Sequence, residues 1–133
     1  MRIAVCLDDR DGLLFNRRRL SRDRAQQEDL LTLCGGQALW LSPYSAPLFD
    51  WAGERVRVDE AFLEKAAPGQ LCFVENRASL PEGVEELVVY RWNRVYPSDV
   101  QMDLSGFTLA EETEFPGVSH ERITRQRYLR KEN

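Results

Sequence analysis

Histidine is scarce in this sequence, and its cysteines form no pairing motif. His120 is the single histidine among 133 residues, so a zinc site, or a Ser-His-Asp or Cys-His site, would depend on one side chain. The three cysteines lie in apolar segments and contain no CxxC pair, which indicates reduced, packed thiols in a cytoplasmic protein. We therefore predict no metal site.

Long apolar runs and an excess of positive charge are also missing. No segment approaches the roughly 20 apolar residues that span a bilayer, and MRIAVCLDD has too short an apolar stretch for a signal peptide, so we expect no membrane association. The net charge of −4 argues against wholesale wrapping of nucleic acid. With 43% hydrophobic and 30% charged residues, the chain has the composition of one globular domain spanning residues 1–133.

Short apolar runs rich in β-formers alternate with segments that carry helix signals. Strands are predicted over residues 2–7, 38–42, 70–75 and 85–92. Helices are predicted over 22–34 with Ser21 as the N-cap, over 44–49 after Ser42-Pro43, and over 60–67 after Asp59, with an irregular connection over 50–58. FTLAEETEF and ERITRQRYLRK alternate apolar with polar residues and predict a half-exposed antiparallel hairpin. This order predicts an α/β fold, with a mixed, mostly parallel sheet flanked by helices and a C-terminal antiparallel hairpin.

Several segments, in this order, resemble the dihydrofolate reductase family. IAVCLDDRDGLLFN…LSRDRAQQEDLL is similar to that family's first strand, glycine loop, asparagine and acidic helix, with Gly12, Asn16 and Asp23 at nearly matching intervals. QALWLSPYS, VDEAFLEKAAPGQLCFV and ELVVYRWNRVYPSD…FTLAEETEF resemble its later strands and helices. The resemblance covers most of the chain and implies a dihydrofolate reductase-like fold.

The same resemblance implies that this chain has lost the cofactor-binding site. Members of that family hold NADPH phosphates at a Gly-Arg-Thr/Ser helix start and at a Gly-Gly pair, where exposed backbone N–H groups approach the ligand closely. The corresponding positions here read SPYS, with Pro43 removing a donor, and VENR. We therefore predict a shortened reductase-like domain with no cofactor.

The opening DD…GLLFNRRRLSRD also resembles a group of short bacterial proteins often labelled ribonuclease Z. That enzyme class uses a histidine-rich site for two zinc ions. One histidine and no HxHxDH run cannot build such a site, so the chemistry does not support the label.

The principal candidate site is a run of five arginines within eight positions, Arg17, Arg18, Arg19, Arg22 and Arg24. They precede or open a predicted helix whose free N–H groups favour anions, and arginine adds bidentate donors suited to phosphate or carboxylate. Asn16 and Ser21 would supply directional hydrogen bonds. The alternative is a solvated surface whose charges pair with nearby acids.

Two further groups complete the candidate binding surface over residues 12–24 and 42–45. Asp23 corresponds to the buried acid of the reductases, although a carboxylate at a helix start also suits the helix dipole alone. Ser42, Tyr44 and Ser45 follow a strand, where ligands of open α/β sheets bind, although capping and packing also explain them. His120 lies in the predicted turn PGVSHER, which favours an exposed polar side chain that nothing holds in one tautomer.

These observations leave three functions open. The first is a non-catalytic domain that binds a small anionic ligand, and the second is an interaction module whose arginines bind an acidic protein. The third is residual reductase or nuclease activity. No catalytic residue is predicted.

Overall fold

The computed structural model describes residues 1–132, which form two sheets and a few helical segments. The strands are β1 (Arg2–Leu7), β2 (Gly12–Phe15), β3 (Arg18–Arg19), β4 (Leu39–Leu41), β5 (Val56–Val58), β6 (Leu71–Phe73), β7 (Glu86–Arg91), β8 (Val100–Gln101), β9 (Phe107–Phe115) and β10 (Ile123–Arg130). The helices are α1 (Arg24–Cys34) and α2 (Phe62–Lys65), with a kinked 3₁₀ segment over Ala46–Arg55. The main sheet has the order β5-β4-β6-β1-β7-β10-β9, and β3-β2-β8 form a small second sheet.

Strand β1 is the centre of the main sheet, as its uninterrupted apolar sequence predicts. It pairs in parallel with β6 on one side and with β7 on the other. Ile3 and Val5 pack into one hydrophobic cluster, whereas Ala4 packs into the cluster on the opposite face. A strand buried on both faces cannot alternate apolar with polar residues, which explains the continuous run.

The C-terminal hairpin is antiparallel, as predicted. Strand β10 pairs with β7 and with β9, and the β9 register shifts between Arg127 and Tyr128. Strand β9 forms the sheet edge and carries the exposed carboxylates Glu111, Glu112 and Glu114. Charged residues on an edge strand oppose pairing with another chain.

Two layers cover the main sheet. Leu30 and Leu31 of α1, together with Leu48 and Phe49 of the 3₁₀ segment, cover one face. The other face is covered by α2 and by Leu13 and Leu14 of the small sheet, with Met102 and Phe107 nearby. This arrangement is a mixed α/β fold in three layers.

The tertiary structure corrects several predicted boundaries. Helix α1 begins at Arg24, and its N-cap is Asp23 rather than Ser21. The connection predicted as irregular over 50–58 contains the end of the 3₁₀ segment and the parallel edge strand β5. Residues Gly12–Phe15 form β2, whose partner strands β3 and β8 are both short. Strand β8 is also far away in sequence. Within the described part of the chain, no helix is both long and apolar enough to cross a membrane.

Candidate functional site

The arginine run begins in a tight β-hairpin between β2 and β3. Phe15 pairs with Arg18, so Asn16 and Arg17 form a two-residue loop, with φ angles of +50° and +63°. Positive φ at both loop residues is typical of a type I′ turn, in which the second position is usually glycine. Arg17 adopts this unfavourable conformation with its side chain exposed, while Asp99 Oδ2 accepts a 3.0 Å hydrogen bond from Asn16 N.

Arg19 is the arginine of this run that is anchored to the main sheet. Its Nε and Nη2 atoms donate to the two carboxylate oxygens of Glu75, at 2.8 and 3.0 Å. Its guanidinium also lies over the ring of Tyr44, 4.7 Å from the centroid, and its backbone N–H donates to the Tyr44 hydroxyl at 2.9 Å. Burial opposes the charge on Arg19, but the hydrogen bond and charge of Glu75 outweigh this and raise the arginine pKa.

A cavity of about 580 Å³ lies on one side of the hairpin. Its lining residues are Phe15, Asn16, Arg18, Arg19, Leu20, Tyr96 and Pro97. Phe15 is 43% exposed, so an aromatic ring faces solvent at this surface. The cavity therefore combines aromatic and apolar walls with the guanidinium of Arg18, whose side chain is exposed.

Asp8 holds the segment that carries Tyr96, a residue of the cavity lining, close to the end of β1. It is fully buried at the end of β1, and its Oδ1 accepts hydrogen bonds from the backbone N–H groups of Arg10 and Gly12, both at 2.8 Å. Its Oδ2 accepts a 3.0 Å hydrogen bond from the backbone N–H of Tyr96. One carboxylate thus ties the start of the hairpin to the segment that carries Tyr96 and Pro97.

A second cavity, of about 570 Å³, lies on the other side of the hairpin. Its polar lining consists of Asn16, Arg17, Tyr44, Asn76 and Asp99. Ser42 and Ser45, the other predicted residues near Tyr44, are buried, and their hydroxyls lack a hydrogen-bond partner within residues 1–132. Tyr44 is therefore the member of the SPYS segment that faces a cavity.

Asp23 joins the start of α1 to the connection between β9 and β10. Its carboxylate accepts backbone N–H hydrogen bonds from Ala25, Val118, Ser119 and His120, at 2.8 to 3.1 Å. Burial favours the neutral acid, but the hydrogen bonds from Val118, the His120 ring, Ser119 and Ala25 outweigh it and hold the pKa of Asp23 well below its usual range. The carboxylate is thus ionised because N–H groups surround it.

His120 is buried, which contradicts the prediction of an exposed turn residue. Its Nδ1 lies 2.9 Å from Asp23 Oδ2, and its Nε2 lies 2.9 Å from Ser21 Oγ and 3.2 Å from the Tyr96 hydroxyl. Its ring stacks on Trp92 at 4.5 Å between centroids. The prediction failed because Tyr96, Asp23 and Ser21, whose side chains contact the His120 ring, lie 24 to 99 positions away in sequence.

The predicted residues therefore separate into three places. Arg18, Arg19 and Asn16 line the first cavity, Arg17, Asn16 and Tyr44 line the second, and Ser21 and Asp23 join His120. Arg22 is exposed. Four residues of the site were not predicted from the sequence: Phe15, Tyr96, Pro97 and Glu75. The YPSD break after β7 was the available signal for a loop at this edge.

The cysteine thiols are poor nucleophiles and poor ligands in this environment. Burial raises the pKa of Cys34 and of Cys72 to about 11. Burial also raises the pKa of Cys6 well above its usual range, and the charge of Glu75 adds to this effect. Within residues 1–132, no group of three or more His, Cys, Asp and Glu side chains is arranged to hold a metal ion.

The sheet order and the helical layers define a dihydrofolate reductase-like fold. The dihydrofolate reductase from Enterococcus faecalis, solved in complex with NADP(H) and RAB-propyl, superposes with a TM-score of 0.63 over 98% of this chain and 96% of that chain, at 9% sequence identity. Identity this low establishes the fold alone. No protein-family model matches the sequence, and no curated protein matches it significantly.

Proposed function

We propose that this protein binds a small anionic ligand in the first cavity, between the β2–β3 hairpin and the segment carrying Tyr96 and Pro97. The observation that carries the proposal is the exposed guanidinium of Arg18 on the wall of a cavity of about 580 Å³. Ligand sites of small molecules have volumes of roughly 300–1,000 Å³ and combine mostly apolar walls with a few polar groups. The cavity meets both conditions.

Arg18 is the residue that we expect to bind the anion. Glu75 already occupies the guanidinium of Arg19, so the charge of Arg19 is compensated within the protein. Arg18 precedes it in β3 and presents planar donors that suit a carboxylate or a phosphate. Phe15 and Tyr96 add ring surfaces, which favour a ligand with a planar, unsaturated body.

The second cavity extends the proposed surface to residues 42–45. Arg17 and Tyr44 line it, and Asn76 contributes an amide. Asp99 lies in the same lining and lowers its attraction for anions. We therefore assign the anionic group of the ligand to the first cavity, and only neutral polar groups of the ligand to the second.

We propose that the ligand is not a dinucleotide used for hydride transfer. In the VENR segment, where the similar reductases have a Gly-Gly pair, Glu75 is 95% buried and its carboxylate faces Arg19. The Glu75 side chain fills the space that a glycine would leave free for a phosphate at this strand end. Pro43 removes a backbone donor at the other phosphate position.

Thermal unfolding with added ligand tests this function. We expect AMP or citrate to raise the melting temperature, by roughly 10 °C at a concentration 100 times Kd, because binding to the native state stabilises it. Arg18→Gln should abolish the shift, whereas Arg55→Gln makes the same charge change at another exposed position and should leave it intact. Absence of a shift across a wide panel of carboxylates and phosphates, or an equal shift in Arg18→Gln, would overturn the proposal. Tight binding of NADPH with hydride transfer would establish the reductase alternative instead.

The exposure of Arg17, Arg18 and Arg22 favours a second candidate function, the binding of an acidic protein segment. Poly-glutamate is a suitable probe. Binding that requires all three arginines and that AMP does not compete away would support this alternative over the cavity ligand. Competition by AMP would favour the small anion.

A further inference from the structure

The buried histidine belongs to a chain of three side chains that the proposed anion site does not use. Ser21 Oγ lies 2.9 Å from His120 Nε2, and His120 Nδ1 lies 2.9 Å from Asp23 Oδ2. A hydroxyl, an imidazole and a buried carboxylate in this sequence of contacts form the constellation that activates a serine in acyl transfer, on whatever fold it occurs. We infer that Ser21 is a nucleophile for carboxylic esters, with His120 as its general base and Asp23 as the residue that positions His120.

The hydrogen bonds determine which nitrogen of His120 can act as the base. The backbone N–H groups of Ala25, Val118 and Ser119 hold Asp23 as an acceptor, so Nδ1 of the neutral ring must carry the proton that it donates to Oδ2. The lone pair of the ring is therefore on Nε2, which faces Ser21. Stacking on Trp92, with an angle of 19° between the rings, keeps this orientation.

Tyr96 connects the chain of Ser21, His120 and Asp23 to the first cavity. Tyr96 lines the cavity, and its hydroxyl lies 3.2 Å from His120 Nε2. Because Nε2 has one lone pair, the hydroxyls of Ser21 and Tyr96 compete to donate to it. When the Tyr96 hydroxyl turns to the carbonyl oxygen of a bound ester, it leaves Nε2 to Ser21 and stabilises the developing oxyanion.

The reaction balances without a further reactant except water. Ser21 Oγ attacks the ester carbonyl carbon while its proton moves to His120 Nε2. The tetrahedral intermediate then breaks its bond to the alcohol oxygen, which leaves with that proton. Water attacks the acyl-serine by the same steps and releases a carboxylic acid, so that ester and water give acid and alcohol.

The substrate class follows from the neighbouring residues. Ser21 lines a small cavity of about 10 Å³, and Leu20 lines both this cavity and the first one. An acyl group with a planar or apolar body that occupies the first cavity would therefore approach Ser21 past Leu20. A negative charge on that group would face Arg18, and this preference rests on the proposed anion-binding function. The nucleophile itself does not depend on it, because a neutral ester needs no anion site.

A neutral serine-directed reagent tests the nucleophile directly. We expect an alkyl fluorophosphonate to add once to the folded protein, at Ser21, and p-nitrophenyl acetate to release p-nitrophenolate. Ser21→Ala should abolish both, whereas Ser79→Ala removes an exposed serine remote in sequence and should change neither. His120→Gln should lower the hydrolysis rate by roughly 10²–10⁴-fold, the usual contribution of a general base. Asp23→Asn should lower kcat with little change in KM, because Asp23 acts through His120 and not on the ester.

Two results would overturn the inference. One is a folded wild-type protein that takes up no fluorophosphonate, and the other is labelling that persists unchanged in Ser21→Ala. If Ser21→Ala does not fold, Ser21→Cys is the alternative variant, because it keeps a nucleophile beside His120. Iodoacetamide should then alkylate position 21 faster than the three native cysteines. Equal or slower alkylation of position 21 contradicts the inference. If AMP causes no thermal shift in the wild-type protein but Ser21 is still labelled, only the anion site is refuted. If AMP causes the shift but Ser21 is not labelled, only the nucleophile is refuted.

Discussion

Asp23 Oδ2 and His120 Nδ1 lie 2.9 Å apart, although 97 positions separate the two residues in the chain. The contact joins the start of α1 to the connection between the last two strands. It brings together an anion surrounded by N–H donors and the chain's one histidine. The stability of the fold and the proposed reactivity of Ser21 therefore depend on the same carboxylate, and stability and labelling must be measured together.

Replacing Asp23 should destabilise the protein in a pH-dependent manner. Asp23→Asn places an amide donor among N–H groups that need an acceptor, which should cost about 3 kcal/mol of unfolding free energy at pH 7. The pKa of Asp23 is lowered by folding, so its stabilisation is present above the unfolded-state pKa of about 4 and is lost as pH falls below it. Urea unfolding at pH 7, 5 and 3 should show the difference between wild type and variant shrinking with acidification. Asp50→Asn, at an exposed carboxylate, should show no such trend.

Gly117 should not tolerate a side chain. A Cβ atom there would lie 2.5 Å from the carbonyl oxygen of His120 and 2.7 Å from Asp23 Oδ2. Gly117→Ala should therefore lower the unfolding free energy by about 1–3 kcal/mol and reduce fluorophosphonate labelling of Ser21. Gly36→Ala is the matched control, since a Cβ atom at Gly36 meets nothing within 4 Å and its φ is not positive. Equal stability of the two variants would contradict the close packing.

The Arg19–Glu75 pair should contribute more to stability than an exposed pair. Glu75 is 5% exposed, so Glu75→Gln leaves the guanidinium of Arg19 without a counter-charge in a half-buried place and should cost about 2 kcal/mol. Glu28→Gln makes the same change in the exposed Arg24–Glu28 pair and should cost no more than about 0.5 kcal/mol. Chemical denaturation of both variants gives the comparison. A smaller effect at Glu75 than at Glu28 would show that Arg19 does not depend on this partner.

The thiols should react slowly in the native state. With a pKa of about 11, Cys34 and Cys72 are about 0.01% thiolate at pH 7, and the thiolate is the reactive form. Alkylation by iodoacetamide should accelerate about tenfold per pH unit between pH 7 and 9 and rise sharply when urea unfolds the protein. Mass spectrometry of the alkylated peptides assigns the sites. Rapid modification of Cys72 in the folded protein at pH 7 would contradict the burial of its side chain.

The sequence predicted most of the main sheet because its signals are local. The apolar run of β1 and the alternation in β9 and β10 each report the surroundings of a strand directly. Strand β5 carried no comparable signal, since Val56–Val58 is a three-residue edge strand whose pairing with β4 is a long-range contact. The small sheet was missed for the same reason, because Gly12–Phe15 depends on a partner near residue 100.

The candidate site was predicted in part. The arginine run, Tyr44 and Asp23 were recognisable from residue type and from their position after strands. The sequence did not predict that these residues separate into two cavities and a buried contact with His120. A hairpin loop of two residues places Arg17 and Arg18 in the linings of different cavities. Glu75 and Tyr96 entered the site only through folding.

The amino-acid sequence alone determined the strand order along the chain, the buried character of the central strands and the concentration of positive charge before α1, because periodicity and charge are properties of neighbouring residues. Only the tertiary structure decided that His120 would be buried between Asp23, Ser21 and Tyr96. Hydrogen-bond partners depend on which distant segments the sheet brings within 3 Å of each other, and no local pattern encodes that distance.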